Sequence, residues 1–419
     1  MESVYRYISD FDCIKIDKYW NFADEKEDKV HQIHSYPAKF PAFITTKAID
    51  YAENKKIHIE TIGDIFCGCG TVAYESLKQG YNFLGYDINP VAALIARVKS
   101  NKLDSLILKD YYEKIIKLSN ENLRSGIKED FNSRIIYWFE TKRIKELEAI
   151  LLAINSVCNL ENEYKDFFLC AFSNILKPTS RWLTKSIKPT IDSHKITKSA
   201  FYNFEKQFNK MYIANTESNI QEKGNADIRI TDSLEIEGSN KVDLLVTSPP
   251  YVTSYEYADL HQLSLIWLRF GDDYREFRKG TIGSIYKKSI DKESNLNSIG
   301  NDIVEKLMKN GNSKSRIKAI KKYYSDMEKI TDKTYKLLNE NGMAIFVIGN
   351  TEYKNVKIRN AEHLALAMIE SGFCEIEVTK RKISNKILTP YRDNQGKFSK
   401  DKNGRKIYSE EFIIVGRKL

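Results

Sequence analysis

An ordered run of strand, glycine loop, helix and acid-ended strand constrains the fold more than any other feature of this sequence. Thr61–Phe66 is an apolar strand that leads directly into Cys67-Gly68-Cys69-Gly70-Thr71. Apolar residues at helical spacing follow in Val72–Leu77, and a second strand, Tyr81–Asp87, ends on an acid before a helix over Pro90–Lys99. Strands that alternate with helices predict an α/β fold, in which a mostly parallel sheet carries helices on its faces.

The middle of the chain differs in character from both ends. Residues 101–224 are rich in lysine, space their apolar residues as helices do, and contain few strand signals. Strand patterns return at Ile228–Asp232, Val242–Val246, Met343–Ile348, Glu375–Val378 and Glu411–Val415. We therefore divide the chain into an N-terminal part of the core (1–100), a helical insertion (101–224) and a C-terminal part of the core (225–419).

The composition excludes several other classes of protein. The chain has 419 residues, 42% hydrophobic and 29% charged, which is ordinary for a globular protein with a sizeable core. No apolar run approaches the roughly 18 residues of a membrane-spanning helix, and Met1 to Asp12 lack the apolar stretch of a signal peptide, so we expect a cytoplasmic protein with no membrane partner. The six cysteines are too scattered for a disulfide framework, and neither they nor the six histidines have the spacing of a metal site. We therefore expect no metal.

The loop after the first strand is a candidate ligand site. Gly68 and Gly70 lie where a strand turns into a helix, so the backbone and the free N–H groups of the helix can approach a ligand. Asp87 ends the second strand about 20 residues later, the spacing at which an acid accepts hydrogen bonds from ribose hydroxyls. Ala73 replaces the third glycine of the dinucleotide fingerprint, which disfavours a nicotinamide cofactor. Ordinary tight turns also use Gly-x-Gly, but the loop and the acid together favour a ribonucleoside.

A second candidate site, Thr247-Ser248-Pro249-Pro250-Tyr251, follows the strand Val242–Val246. Open α/β sheets bind ligands at the carboxyl ends of their strands. The two prolines fix the backbone and remove N–H donors, which leaves outward carbonyl groups beside the Ser248 hydroxyl and the Tyr251 ring. Pro-Pro also ends ordinary strands and tyrosine often only packs. A rigid set of acceptors beside an aromatic ring nevertheless suits a planar base with an exocyclic amine.

These motifs, in this order, resemble those of the amino-group DNA methyltransferases that use S-adenosylmethionine. The resemblance covers roughly residues 20–100 and 225–419 and implies a Rossmann-like class I methyltransferase core with a twisted, mostly parallel seven-stranded sheet. It implies that the glycine loop holds the methionine half of the cofactor and that Asp87 holds the ribose. The residues it assigns to the cofactor are Tyr36, Lys39, Phe40, Asp64, Phe66, Cys67, Gly68, Gly70, Thr71, Asp87, Ile88, Asp232, Ser233 and Thr247. The residues it assigns to catalysis are Ser248, Pro249, Pro250 and Tyr251.

The resemblance also bears on the substrate. Ser before Pro-Pro resembles the enzymes that act on the N4 amine of cytosine, whereas adenine-N6 enzymes more often carry Asp there. We therefore expect a site-specific enzyme that methylates a flipped cytosine of double-stranded DNA, in a restriction–modification or related defence system with a cognate restriction endonuclease. An adenine-N6 enzyme, a catalytically silent DNA-binding protein and an RNA methyltransferase remain alternatives. The sequence leaves open the recognised bases and the oligomeric state.

Two departures from the family pattern matter. Residues 101–224 fall between the ribose acid and Asp232, an unusual place for an insertion, and we expect them to form a DNA-recognition region. The chain also has no Pro-Cys motif, so the covalent route to carbon 5 of cytosine lacks its nucleophile.

Basic residues are unevenly distributed along the chain. Residues 267–322 contain fourteen Lys and Arg against seven Asp and Glu, and the stretches Lys380–Lys382 and Arg405-Lys406 are also basic. Such runs are often solvated faces, but after a catalytic loop we expect contacts with phosphates. The expected DNA-binding residues are Arg181, Lys185, Lys188, Arg275, Arg278 and Lys279. We expect Trp182 to be a core residue and His261 to be structural.

Overall fold

Eleven strands are present in the computed structural model of the chain. It describes residues 11–21, 26–127, 130–159, 161–239, 241–252, 256–284, 296–353, 355–383, 391–392, 405–406 and 410–419. The strands are β1 (Thr61–Asp64), β2 (Asn82–Asp87), β3 (Ala226–Ile230), β4 (Val242–Thr247), β5 (Leu338–Ile348), β6 (Thr351–Tyr353), β7 (Val356–Ile358), β8 (Cys374–Lys382), β9 (Tyr391–Arg392), β10 (Arg405–Lys406) and β11 (Glu410–Arg417).

Seven of these strands form one sheet in the order β3-β2-β1-β4-β5-β11-β8. The pairs from β3 to β5 are parallel, and β11 runs antiparallel to both of its neighbours. The predicted α/β fold with a mostly parallel, seven-stranded sheet is therefore confirmed.

Thirteen α-helices accompany the strands in the described part of the chain. They are α1 (Ala42–Asn54), α2 (Thr71–Lys78), α3 (Pro90–Lys99), α4 (Ser105–Ser125), α5 (Ser133–Trp138), α6 (Thr141–Val157), α7 (Asn162–Thr179), α8 (Ala200–Thr216), α9 (Tyr257–Leu260), α10 (Gln262–Trp267), α11 (Ser298–Lys309), α12 (Lys314–Leu337) and α13 (Asn360–Glu370). None of them combines the length and the apolar character needed to cross a lipid bilayer.

The central strand β4 is buried on both faces. Leu244 and Val246 pack in one apolar cluster with Ile44 of α1, while Leu245 packs in another with Tyr324 of α12. Alternate residues of a strand point to opposite faces, so the unbroken apolar run serves two cores at once. This burial fixes where β4 ends and therefore where the loop after it begins.

Five helices, α4 to α8, lie between β2 and β3 and share a third apolar cluster. Leu147 and Ile150 of α6 are fully buried in it. Trp182 is also buried and stacks on Trp138 at 5.1 Å between ring centroids, which confirms that it is a core residue.

Two strands end earlier than the sequence-based prediction placed them, and others, such as β5 and β8, are longer than predicted. β1 ends at Asp64 because the Asp64 carboxylate accepts the backbone N–H of Phe66 at 2.9 Å and turns the chain. β3 ends at Ile230, since Asp232 caps a short 3₁₀ turn by accepting the N–H of Leu234 at 3.0 Å. Short polar side chains compete with the sheet for backbone donors at both points.

Candidate active site

The two predicted loops meet at one edge of the sheet. β1 and β4 are parallel neighbours, with Gly63 opposite Leu245, so the loops after them leave the sheet side by side. The Thr247 hydroxyl donates to Asp64 Oδ1 at 2.6 Å and joins the two loops directly. Phe66 and Tyr251 pack against the same apolar cluster. The glycine loop and the Thr-Ser-Pro-Pro-Tyr loop therefore form the walls of a single site.

The glycine loop is shaped by backbone geometry. Gly70 has φ +74°, and a Cβ there would lie 2.6 Å from Ala96 Cα, so only glycine fits between α2 and α3. Gly68 has φ +51°, yet a Cβ there would meet nothing closer than 3.8 Å. Gly70 thus lets two helices pack, whereas Gly68 supplies a left-handed backbone conformation and lies beside the Tyr36 ring.

Two carboxylates sit beneath this loop. Asp87 accepts the backbone N–H of Gly68 and of Asn89, each at 2.8 Å. Burial raises the pKa of Asp87 to about 6 and the pKa of Asp64 to about 7. Asp87 therefore links the loop to the end of β2, where its carboxylate has the remaining acceptor capacity that ribose hydroxyls require.

Unpaired buried polar atoms mark where a ligand fits this site. Among the described residues, the Thr71 hydroxyl at the start of α2 is buried and has no hydrogen-bond partner. Just after β2, the backbone of Gly280 lies so close to Ile88 that an added Cβ would stand 1.9 Å from the Ile88 Cδ1 atom and 3.9 Å from Asp232 Oδ2. The unpaired Thr71 hydroxyl, an acid for the ribose and an enclosed apolar side chain fit the chemistry of S-adenosylmethionine.

Residues 33–41 cover the other side of the glycine loop. Tyr36 is half-buried, stacks on Tyr257 at 6.1 Å between ring centroids, and its hydroxyl lies 3.8 Å from the Cβ position of Gly68. Phe40 packs with the apolar cluster that contains α1. Lys39 pairs with Glu27 at 2.5 Å, so its ammonium is already compensated by a carboxylate.

The side chains of two other predicted cofactor residues are already packed or hydrogen-bonded within the protein. Cys67 is buried with its sulfur 2.9 Å from the Cβ position of Gly85, so it can offer a ligand only its backbone. The Ser233 hydroxyl donates to the Ile65 carbonyl at 2.6 Å and supports the glycine loop from behind. Both residues hold the loop in shape.

The loop Thr247–Tyr251, the predicted catalytic loop, is held at three points by three different elements. The Ser248 hydroxyl donates to the Val347 carbonyl of β5 at 3.0 Å, and the Tyr323 hydroxyl of α12 donates to the Pro250 carbonyl at 2.9 Å. The Tyr251 hydroxyl donates to Glu411 of β11 at 3.0 Å. Among the described residues, the Pro249 carbonyl has no hydrogen-bond partner, so it remains free to accept one.

A buried histidine that the sequence treated as structural borders the site. The Asn89 side-chain oxygen accepts the N–H of Val91, which leaves its NH₂ to donate to His261 Nδ1 at 2.6 Å. Burial lowers the pKa of His261 to about 4, so the ring is neutral and its proton resides on Nε2. Nε2 has no partner among the described residues. The Asn89 contact, which sequence spacing gave no sign of, ties α9 and α10 to the end of β2.

The predicted DNA-binding residues fall into two groups. Four are occupied by partners within the chain: Arg181 donates to the Ile136 and Tyr137 carbonyls, Arg275 pairs with Asp273, Arg278 with Asp259, and Lys279 with Glu276. Lys185 and Lys188 are exposed, and no ion pair or hydrogen bond of their ammonium groups is present in the described structure. The two lysines are therefore the better candidates for phosphate contacts.

The prediction that the basic C-terminal stretch contacts phosphates is wrong in part. Lys380 and Arg381 are buried, Lys380 against the Asp12 carbonyl and Arg381 against Glu411, so neither faces solvent. Because Lys380 and Arg381 are adjacent in β8, they point to opposite faces of the sheet, and both faces are covered there: Lys380 lies near the Phe412 ring and Arg381 near the Phe43 ring. Lys287, Lys288 and Lys292, which belong to the basic run in residues 267–322, lie outside the described residues.

The buried Asp64 generates a prediction about pH. Its folded pKa of about 7 lies above the ordinary value of 3.8, so the folded state holds a proton that the unfolded state has released. The contribution of Asp64 to the free energy of unfolding therefore falls as pH rises from about 4 to about 7 and is constant above that. Asp64→Asn keeps the oxygen that accepts from Thr247 and cannot titrate. We expect its free energy of unfolding, relative to wild type, to rise across this interval.

Urea denaturation of the ligand-free protein at pH 4.5, 6 and 8 measures this difference. Asp332→Asn, which removes an exposed carboxylate paired with Lys336, is the control. A pH profile of Asp64→Asn that parallels wild type would contradict the assignment of a buried, protonated Asp64.

Comparisons with known proteins find similarity to methyltransferases. Residues 8–98 match a family model described as DNA methylase. The chain is 25% identical to Type II methyltransferase M.MvaI of Kocuria varians over 79% of each chain, and 35% identical to Type II methyltransferase M.MjaII of Methanocaldococcus jannaschii over 86 residues, 20% of this chain and 16% of that one. Among solved structures it is similar to the rRNA methyltransferase aviRa of Streptomyces viridochromogenes, with 9% identity, 95% and 96% of the two chains covered and a TM-score of 0.32. Over the glycine loop the chain is thus similar to a DNA methylase family, and over most of its length it is similar to a type II methyltransferase.

Proposed function

We propose that this chain is a site-specific type II DNA methyltransferase that transfers a methyl group to the N4 amine of a flipped cytosine. The observation that carries the proposal is the hydrogen bond from the Ser248 hydroxyl to the Val347 carbonyl. It commits the only proton of that hydroxyl, so the Ser248 oxygen faces a ligand as an acceptor. A neutral acceptor at this position, where adenine-N6 enzymes more often carry Asp, supports cytosine over adenine.

The reaction needs a better nucleophile than a free cytosine amine. The lone pair of that amine is delocalised into the ring, and acceptors for its two hydrogens concentrate the lone pair on nitrogen. Ser248 and the unpaired Pro249 carbonyl supply the two acceptors, and the loop that carries them is fixed from three sides. Groups that are fixed before the substrate arrives need little reorganisation during the reaction.

The cofactor supplies an electrophilic methyl group on a sulfonium when it is bound. Asp87, Gly68 and Thr71 would hold its ribose and methionine portions, and Ile88 would contact its adenine. The hydrogen bond from Thr247 to Asp64 fixes the separation between the two loops. Alignment of two bound reactants accounts for up to roughly 7–11 kcal/mol of barrier reduction in favourable cases.

The target base must leave the duplex to reach this loop. Flipping costs a few kcal/mol, and stacking on an aromatic ring offsets about 1–3 kcal/mol of it. Tyr251 is the aromatic residue of the loop, and burial together with the Glu411 carboxylate holds the pKa of Tyr251 well above its usual value. The ring therefore stays neutral at every pH at which DNA is a duplex.

The proposed function predicts which methylated nucleoside the enzyme forms. Incubation of the protein with labelled S-adenosylmethionine and DNA, followed by separation of the nucleosides, should yield N4-methyldeoxycytidine. Ser248→Ala should lower kcat roughly ten- to a hundredfold because it removes one hydrogen bond to the reacting amine. Ser119→Ala is the matched control, since its hydroxyl also donates to a backbone carbonyl, that of Ile115, within α4.

Label in N6-methyldeoxyadenosine would replace the cytosine proposal with the adenine alternative. A Ser248→Ala enzyme with wild-type kcat would remove Ser248 from the mechanism whichever base is modified.

We further propose that the segment between α7 and α8 contacts DNA phosphates through Lys185 and Lys188. Both ammonium groups are exposed, and the loop leaves a helix that packs on the core beside the site. Cations that neutralise phosphates release counterions, which makes affinity fall with salt. To contact a phosphate, each of the other three cations (Arg275, Arg278 and Lys279) must first break its ion pair within the chain.

This proposal predicts a change in salt dependence. Replacement of Lys185 and Lys188 together by Ala should reduce the slope of log K against log salt for duplex DNA by about 1.8, the value for two lost phosphate contacts. Lys56 and Lys241 are the control pair, because both are exposed and precede β1 and β4 at the opposite edge of the sheet. Equal effects of the two pairs on the slope would refute a specific role for this loop.

A further inference from the structure

A buried cluster behind the catalytic loop connects Tyr251 to two strands at the edge of the sheet. Tyr251 donates its hydroxyl to Glu411 Oε1 at 3.0 Å. Arg381 donates to the other carboxylate oxygen, Oε2, from Nε at 2.9 Å and from Nη2 at 2.5 Å. Each oxygen of Glu411 therefore has its own partner, one on the catalytic loop and one on β8.

Backbone pairing places these residues together. Glu411 of β11 and Arg381 of β8 are directly opposite in the antiparallel register, so their side chains lie on the same face of the sheet. The side chains of Arg381 and Glu411 are 5% and 17% exposed, and the guanidinium also lies 5.5 Å from the Phe43 ring centroid of α1. Because this ion pair is hydrogen-bonded through two nitrogens and enclosed by neighbouring side chains, its two side chains are fixed in one geometry.

The ring of Tyr251 is confined at its hydroxyl end as well. A Cβ at Gly349 would lie 3.2 Å from Tyr251 Cε2 and 3.3 Å from its hydroxyl oxygen, so the backbone after β5 is in close contact with this end of the ring. The hydrogen bond to Glu411 then fixes the direction of the O–H. Together these contacts define the plane of the ring.

We propose that Glu411, oriented by Arg381, is a positioning residue that sets the plane of the Tyr251 ring for an extruded nucleobase. This inference rests on the proposed function, because it assigns the orienting role to a ring that receives a flipped base. The carboxylate itself does not touch the base. It acts through the tyrosine hydroxyl, so its removal should affect the step in which the base is held, and not the binding of S-adenosylmethionine.

The experiment uses the full-length enzyme and five variants: Tyr251→Phe, Tyr251→Ala, Glu411→Ala, Glu411→Gln and the double variant Tyr251→Phe/Glu411→Ala. Methyl transfer is measured on the duplex that wild type methylates, and base holding on the same duplex with 2-aminopurine in place of the target cytosine. Tyr251→Phe leaves the Arg381–Glu411 pair intact and keeps the aromatic ring, so it tests the hydroxyl without exposing a buried charge.

We expect Tyr251→Phe and Glu411→Ala each to lower kcat roughly tenfold, the size of effect for one hydrogen bond to a charged group. Both should reduce the 2-aminopurine fluorescence change and leave the KM for S-adenosylmethionine at the wild-type value. The double variant should be no slower than Glu411→Ala alone, since the two groups act through one contact. Glu411→Gln, whose amide oxygen still accepts from the tyrosine, should retain more activity than Glu411→Ala.

A second tyrosine–glutamate–cation cluster on β8 is the control. Tyr51 donates to Glu377 at 2.5 Å and Lys55 pairs with the same carboxylate at 2.6 Å, but this cluster contacts α1 and not the catalytic loop. Tyr51→Phe and Glu377→Ala should leave the fluorescence change at the wild-type value.

Three results would overturn the inference. Wild-type kcat and fluorescence in Tyr251→Phe, together with lost activity in Tyr251→Ala, would mean that the ring acts without the carboxylate, and the proposed function would stand. Losses that add in the double variant would show that Glu411 stabilises the fold independently of Tyr251. A wild-type enzyme that methylates no cytosine overturns the proposed function, and the assigned role for Glu411 with it.

Discussion

The site depends on the hydrogen bond between Thr247 and Asp64, which connects two segments 183 positions apart in the chain. Parallel pairing of β1 with β4 brings their carboxyl ends to the same edge. The hydroxyl-to-carboxylate contact then fixes the distance between a loop that suits a nucleoside cofactor and a loop that suits a nucleobase. Burial holds the Asp64 carboxyl close to neutrality, so this contact lies in an environment where a lost partner is costly.

The helical segment between β2 and β3 also supports the site. Gln207 of α8 donates to the Ile33 carbonyl at 2.6 Å, and the backbone N–H of Ser35 donates to Asn174 of α7 at 3.0 Å. These contacts position the residues just before Tyr36, which covers the glycine loop. The segment that interrupts the core therefore holds the cover of the cofactor site, while its loop between α7 and α8 presents exposed lysines to solvent.

The elements that carry the site were predictable because they depend on local patterns. The glycine loop, the acid at the end of β2 and the Pro-Pro loop after β4 all follow apolar strands, and strand ends are where parallel sheets expose their functional residues. The α3 helix was predicted at the bounds Pro90–Lys99 that the structure has, since Asn89 caps it and Pro90 suits its first turn.

The contacts that were not predictable join residues far apart in sequence. Nothing in the pattern around Glu411 or Arg381 indicates that they meet Tyr251, because that contact requires the register of β8 against β11. The same limit made the basic stretch at Lys380–Lys382 look like a phosphate-binding surface. The alternation of charged and apolar residues in β8 was the one available signal that some of these side chains turn inward.

The most direct test of the account is the affinity for S-adenosylmethionine of Thr247→Val, measured by isothermal titration calorimetry together with its kcat. The substitution keeps the shape of the side chain and removes the hydroxyl that reaches Asp64. Thr334→Val, which removes a buried hydroxyl bonded to the Ile330 carbonyl within α12, serves as the control. The account predicts that Thr247→Val binds the cofactor roughly tenfold more weakly and is slower in methyl transfer, while the control changes neither. Wild-type affinity and wild-type kcat in a folded Thr247→Val protein would contradict the claim that this hydrogen bond aligns the two halves of the site.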